Sequence, residues 1–108
     1  DQNFVARLRE IIKNNLANSD FSIERLGEEI GLSRVQLYRK VKALTGQTPV
    51  ELLRKARLVK ARRMVELTDK AVSEIAYEVG FTSPSYFNKC FKDEFGVSPG
   101  ALRDSSGV

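Results

Sequence analysis

The side chains of this 108-residue chain that could do chemistry are cations, amides and hydroxyls, with no catalytic set among them. There is no histidine and one cysteine, Cys90. A Cys/His zinc site and any nucleophile–histidine pair are thereby excluded. No glycine-rich phosphate loop and no Walker-type lysine occurs. Fourteen carboxylates are present, but no close pair sits in an apolar setting, so the chain reads as a non-enzyme without cofactor or metal. What remains is recognition by hydrogen bonds. Arg34, Val35, Gln36, Tyr38, Arg39, Lys40 and Lys42 crowd one stretch; Pro84, Ser85, Tyr86, Asn88, Lys89 and Lys92 crowd another. Arginine can fork onto guanine O6 and N7, and Asn or Gln suits adenine N6 and N7. Neither stretch carries an acid until Asp93 and Glu94. A solvated helix face is the plain alternative for any single one of these residues.

The two stretches are held by elements that repeat. Ile23, Leu26, Ile30, Gly31, Leu32 and Ser33 recur 49 residues later as Val72, Ile75, Val79, Gly80, Phe81 and Thr82. The offset then becomes 50, and Leu37, Val41, Gly46, Pro49 and Leu52 recur as Phe87, Phe91, Gly96, Pro99 and Leu102. One residue has been inserted in the second copy, near Ser83 to Ser85. Two units are too few for a solenoid and fit two copies of one supersecondary tool.

Everything between the stops reads as helix, and no strand signal occurs. Phe4, Val5, Leu8, Ile11, Ile12 and Leu16 make one stripe of about four turns. Ser22 is the expected N-cap of a short helix through Ile30, and Gly31 its break. Ser33 caps the next helix, with Leu37, Val41 and Leu44 expected inward. Val50 to Leu67 is the longest uninterrupted helix, and Pro49 suits its first turn. Leu53, Ala56, Val59 (or Leu58), Met64 and Leu67 are expected along its buried side. A short helix from Val72 to Val79, a helix from Pro84 to Phe95 capped by Ser83, and a last turn over Pro99 to Arg103 follow. Phe81, Phe87, Phe91 and Phe95 are core by spacing, and Cys90 packs at their edge. Tyr77 has no assigned role.

Each copy, a short apolar-faced helix, a glycine turn and a longer helix, has the layout of a helix-turn-helix. In that motif the first helix braces on the DNA backbone and the second enters the major groove. Helix starts at Ser22, Ser33 and Ser83 are phosphate candidates, because a helix N-terminus offers free N–H groups and partial positive charge; plain capping explains each serine as well. Arg54, Lys55, Arg57, Lys60, Arg62 and Arg63 form the densest basic run. It is either a phosphate track, led by Arg54 and Arg57, or a solvated face paired with Glu24, Glu28, Glu29 and Glu66. A helical protein-interaction module is the other reading, with the three glutamates of the first short helix as its surface.

Composition sets the outer bounds. Eighteen Lys and Arg against fourteen Asp and Glu give a net charge of +4, which favours a nucleic-acid partner only weakly. No apolar run approaches the ~20 residues of a membrane span, no signal peptide is visible, and a lone cysteine fits a reducing cytoplasm. A chain that begins at Asp1 reads as a fragment of a longer protein.

The second copy carries the residues Ser73-Glu74-Ile75-Ala76-Tyr77-Glu78-Val79-Gly80-Phe81, then Ser85-Tyr86-Phe87, Phe91-Lys92 and Phe95-Gly96-Val97-Ser98-Pro99. With these the chain closely resembles the DNA-binding domain of the AraC/XylS family of bacterial transcription regulators, from about Phe4 to Arg103. The resemblance implies an all-α fold of seven helices, with two helix-turn-helix units joined by a long linker helix. Its expected division is 4–46 for the first unit, 49–67 for the linker, 71–103 for the second unit and 104–108 for a frayed tail. It also implies both recognition helices in successive major grooves of double-stranded promoter DNA.

The matching base-reading positions are Val35, Tyr38 and Arg39, with Arg34 and Gln36 beside them, and Pro84, Ser85, Tyr86 and Lys89. Val35 and Pro84 cannot hydrogen-bond a base through their side chains, although Val35 suits a thymine methyl. Ser22, Ser33, Lys40, Lys42, Arg54, Arg57, Ser83, Asn88 and Lys92 complete the expected contacts, to phosphate. The resemblance further implies a transcription activator that meets RNA polymerase, behind an N-terminal sensor or phosphoacceptor domain. Leu37-Tyr38-Arg39-Lys40-Val41-Lys42-Ala43-Leu44-Thr45-Gly46 looks most like output domains of hybrid two-component sensors.

Overall fold

Apolar residues three and four apart wind the chain into seven helices: α1 (Gln2–Asn15), α2 (Ile23–Ile30), α3 (Arg34–Thr45), α4 (Pro49–Leu67), α5 (Val72–Glu78), α6 (Pro84–Phe95) and α7 (Pro99–Ser106). The computed structural model describes residues 2–106, and no strand occurs among them. Ser22, Ser33 and Ser83 each accept a backbone N–H from the first turn of α2, α3 and α6. Two starts are full capping boxes: Ser33 with Gln36, and Thr48 with Glu51. Such reciprocal bonds satisfy donors that a helix start leaves unpaired. Pro49 and Pro84 open α4 and α6, where the missing N–H costs nothing. Gly31 ends α2 at φ +83°, a conformation that a side chain would strain.

Two cores form, one per repeat. Leu8, Ile12, Leu16, Phe21, Leu26, Ile30, Leu37, Val41 and Leu53 make the first. Leu58, Ala61, Val65, Ile75, Ala76, Val79, Phe81, Phe87, Cys90 and Phe91 make the second. Phe87 and Phe91 are fully buried, each worth about 1.5–3 kcal/mol of transfer free energy. A chain of ring contacts runs from Phe81 through Phe87 and Phe91 to Phe95, edge-to-face at its two ends and tilted between Phe87 and Phe91. The body measures 46 × 24 × 21 Å.

Helix α4 belongs to both cores, and this corrects the expected buried stripe. Leu52, Leu53 and Ala56 face the first core, whereas Leu58, Ala61, Met64 and Val65 face the second. At 100° per residue these two faces are rotated by about 140° around the helix. A single stripe therefore could not describe it: Val59 and Leu67 are exposed, at 46% and 74%, and Ala61 and Val65 are buried instead. Leu44 is also exposed, at 40%, on the flank of α3 beside Val5 and Ala6 of α1.

The inserted residue lies in the second turn. Gly31 is followed by Leu32 and the cap Ser33, but Gly80 by Phe81, Thr82 and the cap Ser83. The capping role passes from the repeat equivalent of Ser33, Thr82, to the next residue. Helix α7 continues beyond the expected last turn to Ser106, with the Ser105 hydroxyl bonded to the carbonyl of Ala101. Residues 104–106 are thus helical; the rest of the expected tail, 107–108, lies outside the described residues.

Candidate nucleic-acid interface

The faces that α3 and α6 leave uncovered are set by their buried residues. Leu37 and Val41 pin α3, and Phe87, Cys90 and Phe91 pin α6. Helical spacing then brings Val35, Tyr38, Arg39 and Lys42 to one outward face of α3. The same positions on α6, 50 residues on, are Ser85, Asn88, Lys89 and Lys92. All eight side chains are exposed, and no acid lies among them.

The other candidates sit on the flanks, and the structure gives several of them partners. Arg34 forms a 3.1 Å ion pair with Glu24 of α2, with both groups largely exposed; such a pair contributes little and opens readily. The side-chain oxygen of Gln36 accepts the Ser33 N–H at 3.0 Å. Lys40 lies 4.3 Å from the centroid of the Phe4 ring, and Lys42 donates to the Gly46 carbonyl at 3.2 Å. Tyr86 is on the α4 side of α6: its ring packs near Phe81, and its hydroxyl accepts from Arg54 at 3.4 Å. Pro84 is half-buried at the first turn. The exposed hydroxyl groups of Ser33 and Ser83, and the half-buried one of Ser22, are engaged as caps.

The basic run of α4 divides residue by residue. Arg54 reaches toward α6. Arg62 pairs loosely with Glu66 at 3.7 Å and stacks over Phe95. Arg57, expected on phosphate, is turned inward. Its Nε donates to the carbonyl of Leu16 at 3.3 Å and its Nη2 to that of Asn18 at 3.0 Å. Burial pulls its pKa below the ordinary arginine value, yet a guanidinium stays charged in proteins.

This contact is also where the two units meet. A Cβ on Gly80 would lie 2.3 Å from the Leu16 oxygen and 2.8 Å from the Arg57 Nε, and Gly80 has φ +98°. The turn of the second unit thus abuts the loop of the first, with Arg57 wedged between. Arg103 makes the matching bonds in the second unit, to the carbonyls of Val65, Thr68 and Lys70. Neither arginine's task is legible in the residue pattern, because the backbone carbonyls they bond leave no mark there.

Two braced helices of this kind, each presenting a cation-bearing face free of acids, define a tandem helix-turn-helix DNA-binding fold. Residues 26–105 match the family model described as "Helix-turn-helix domain". The chain is 37% identical over 99 residues to Histidine kinase P4 of Formosa agariphila, covering 92% of this chain and 7% of that protein. It is 37% identical over 92 residues to the HTH-type transcriptional activator RhaS of Mannheimia succiniciproducens, covering 85% of this chain and 34% of RhaS. The DNA-binding domain of AdpA, solved in complex with a target DNA, superposes with a TM-score of 0.87 at 31% identity, over 93% of this chain and 89% of that one. The chain belongs to the AraC/XylS family of helix-turn-helix transcription regulators, as one DNA-binding domain. It spans about a third of RhaS and a small part of the kinase.

Proposed function

We propose that this domain reads an asymmetric double-stranded promoter site, with α3 and α6 in successive major grooves on one side of the duplex. The carrying observation is the pair of outward faces at the same repeat positions, Val35, Tyr38, Arg39, Lys42 and Ser85, Asn88, Lys89, Lys92. A body 46 Å long has room for two such helices one DNA turn apart, about 34 Å. The faces share cations at two of four positions and differ at the rest, so two unlike half-sites are read.

Arg39 and Lys89 are the leading base readers, with Tyr38, Ser85 and Asn88 beside them and Val35 against a thymine methyl. This moves Asn88 from the phosphate set to the base-reading set. Gln36 and Tyr86 move from the base-reading face to its flanks, since one closes a capping box and the other meets Arg54. Arg34 reaches DNA by exchanging Glu24 for it. Lys40, Lys42, Arg54 and Lys92, with the helix starts at Ser22, Ser33 and Ser83, take phosphates. Arg57 leaves the phosphate set for a positioning role.

The name of RhaS supports an activator, and the histidine kinase relative supports a sensor or phosphoacceptor domain elsewhere in the full-length protein; a cytoplasmic setting and contact with polymerase complete the proposed reading. We keep the unit boundaries 4–46, 49–67 and 71–103, with α4 contributing to both cores rather than acting as a spacer. Selection of bound sites from random duplexes tests the reading. Arg39→Ala and Lys89→Ala should each relax specificity in its own half of the site, by about 1–3 kcal/mol per good contact. Equal affinity for selected and random duplexes sinks it.

A further inference from the structure

The face of α4 turned away from Arg54 has no task in the reading above. Together with the C-terminal half of α1 it borders an open groove of about 700 Å³. Leu52, Ala56 and Val59 form its apolar floor, and Arg9, Lys13, Lys55, Lys60 and Arg63 stand around it. The strip continues along α4 to Met64 and Leu67, again flanked by Lys60 and Arg63. Val59 and Leu67 are among the exposed large apolar side chains, at 46% and 74%. Leu52, Ala56, Val59, Arg63 and Leu67 follow one another at spacings of four, three, four and four residues, a seam for another helix. From Leu52 to Leu67 this seam is about 22 Å long, the length of a four-turn partner.

We propose that this groove docks an acidic amphipathic helix of a partner protein, its apolar stripe on the floor and its carboxylates on the basic rim. The charge pattern selects among occupants. A second copy of this chain would bring the same cations against the same cations. DNA would meet the rim but leave the apolar floor against its sugar–phosphate edge, and contacts to phosphate alone do not use such a floor. An amphipathic helix with acidic flanks answers both features, in the helix-in-groove mode. The groove is on the side of α4 opposite Arg54, about 170° around the helix from the contact with Tyr86. Partner and DNA can therefore be held together, which suits a domain whose occupancy of DNA must be reported to other proteins.

The probe is a synthetic fluorescent helix of about five turns, with leucines at three- and four-residue spacing and glutamates beside them. Fluorescence anisotropy is read with the intact 108-residue chain. Binding is expected to weaken at least tenfold when lysines replace the glutamates, and likewise when alanines replace the leucines. Val59→Asp and Arg63→Glu, both at exposed positions whose folding circular dichroism checks, should each weaken it as much and leave DNA affinity within a few-fold. Saturating duplex should not displace the probe. The proposal is overturned if duplex displaces the probe, or if Val59→Asp leaves affinity unchanged. It is equally overturned if sedimentation shows concentration-dependent self-association that Val59→Asp abolishes, because the face then serves a second copy.

Discussion

Arg57 and Gly80 hold the two reading units in one orientation, and breaking that contact should loosen spacing before it weakens reading. Arg57→Ala removes two charge-assisted hydrogen bonds, at 3.3 and 3.0 Å. Bonds to charged groups contribute about 1.5–3 kcal/mol each, but one is long and the guanidinium is partly exposed, so about 2 kcal/mol in all is the reasonable figure. For a domain of this size that lowers Tm by about 9 °C. Gly80→Ala should cost more. Its φ of +98° strains any side chain, and the oxygen 2.3 Å from the new Cβ is backbone and cannot swing aside.

By linkage, the clamp cannot add more to DNA discrimination than it adds to holding the units together. That sets a ceiling of about 2 kcal/mol, or roughly thirtyfold. The assay compares the selected site with one carrying an extra base pair between its halves, which rotates the second groove by about 35° and shifts it 3.4 Å. The native chain should strongly prefer the original spacing. Arg57→Ala should lose up to thirtyfold of that preference while binding an isolated first half-site unchanged. Arg57→Lys should recover only part, because an ammonium does not fork onto two carbonyls. An unchanged spacing ratio, or the same affinity loss on the isolated half-site, refutes the clamp.

Affinity for the selected site should fall with salt at a log–log slope of about −5 to −9, for six to ten phosphate contacts; a flat titration contradicts them. Phe87→Ala, in the second core, should cost about 3–5 kcal/mol and lower amide-exchange protection in α5–α7 more than in α1–α3, since the cores are separate clusters. Bonds from the Thr48 backbone and hydroxyl hold the Glu51 carboxyl below its usual value of 4.5. Its depressed folded pKa means the added stability is present above 4.5 and is lost as pH falls through the folded value. Glu51→Gln should therefore differ from the native chain near neutrality and converge with it in acid, read by urea titrations across that window.

The repeat made much of the fold legible, and the reasons are physical. Leu37 and Val41, or Phe87 and Phe91, mark a buried face twice, and the caps at Ser22, Ser33 and Ser83 are local bonds that adjacent residues announce. The capping box of Gln36 is local too, but an exposed amide on a basic helix looks equally like a reader. In the proposed reading Asn88 and Tyr86 exchange places for a related cause. Residue type suggests a contact, yet only the angle around α6, fixed by which phenylalanines are buried, says whether a side chain faces the groove or the linker helix. Helix α4 hid its pattern because the sequence superimposes two apolar faces that serve different cores.

The arginine contacts show where the duplication stops being a copy. Arg57 Nε bonds the carbonyl of Leu16, and Arg103 Nε that of Val65; Leu16 and Val65 are 49 residues apart, equivalent in the repeat. The arginines themselves are not equivalent. Arg57 is the ninth residue of α4 and Arg103 the fifth of α7, one helical turn earlier. Both units thus need the same backbone carbonyl held, at the end of the helix that precedes the bracing helix, and meet that need from different positions. The later position in α4 is the one that also touches Gly80, so the first unit's arginine couples the units while the second unit's closes its own loop. Removing Arg103 should consequently destabilise α5–α7 without broadening spacing. That contrast separates a clamp between units from a staple within one.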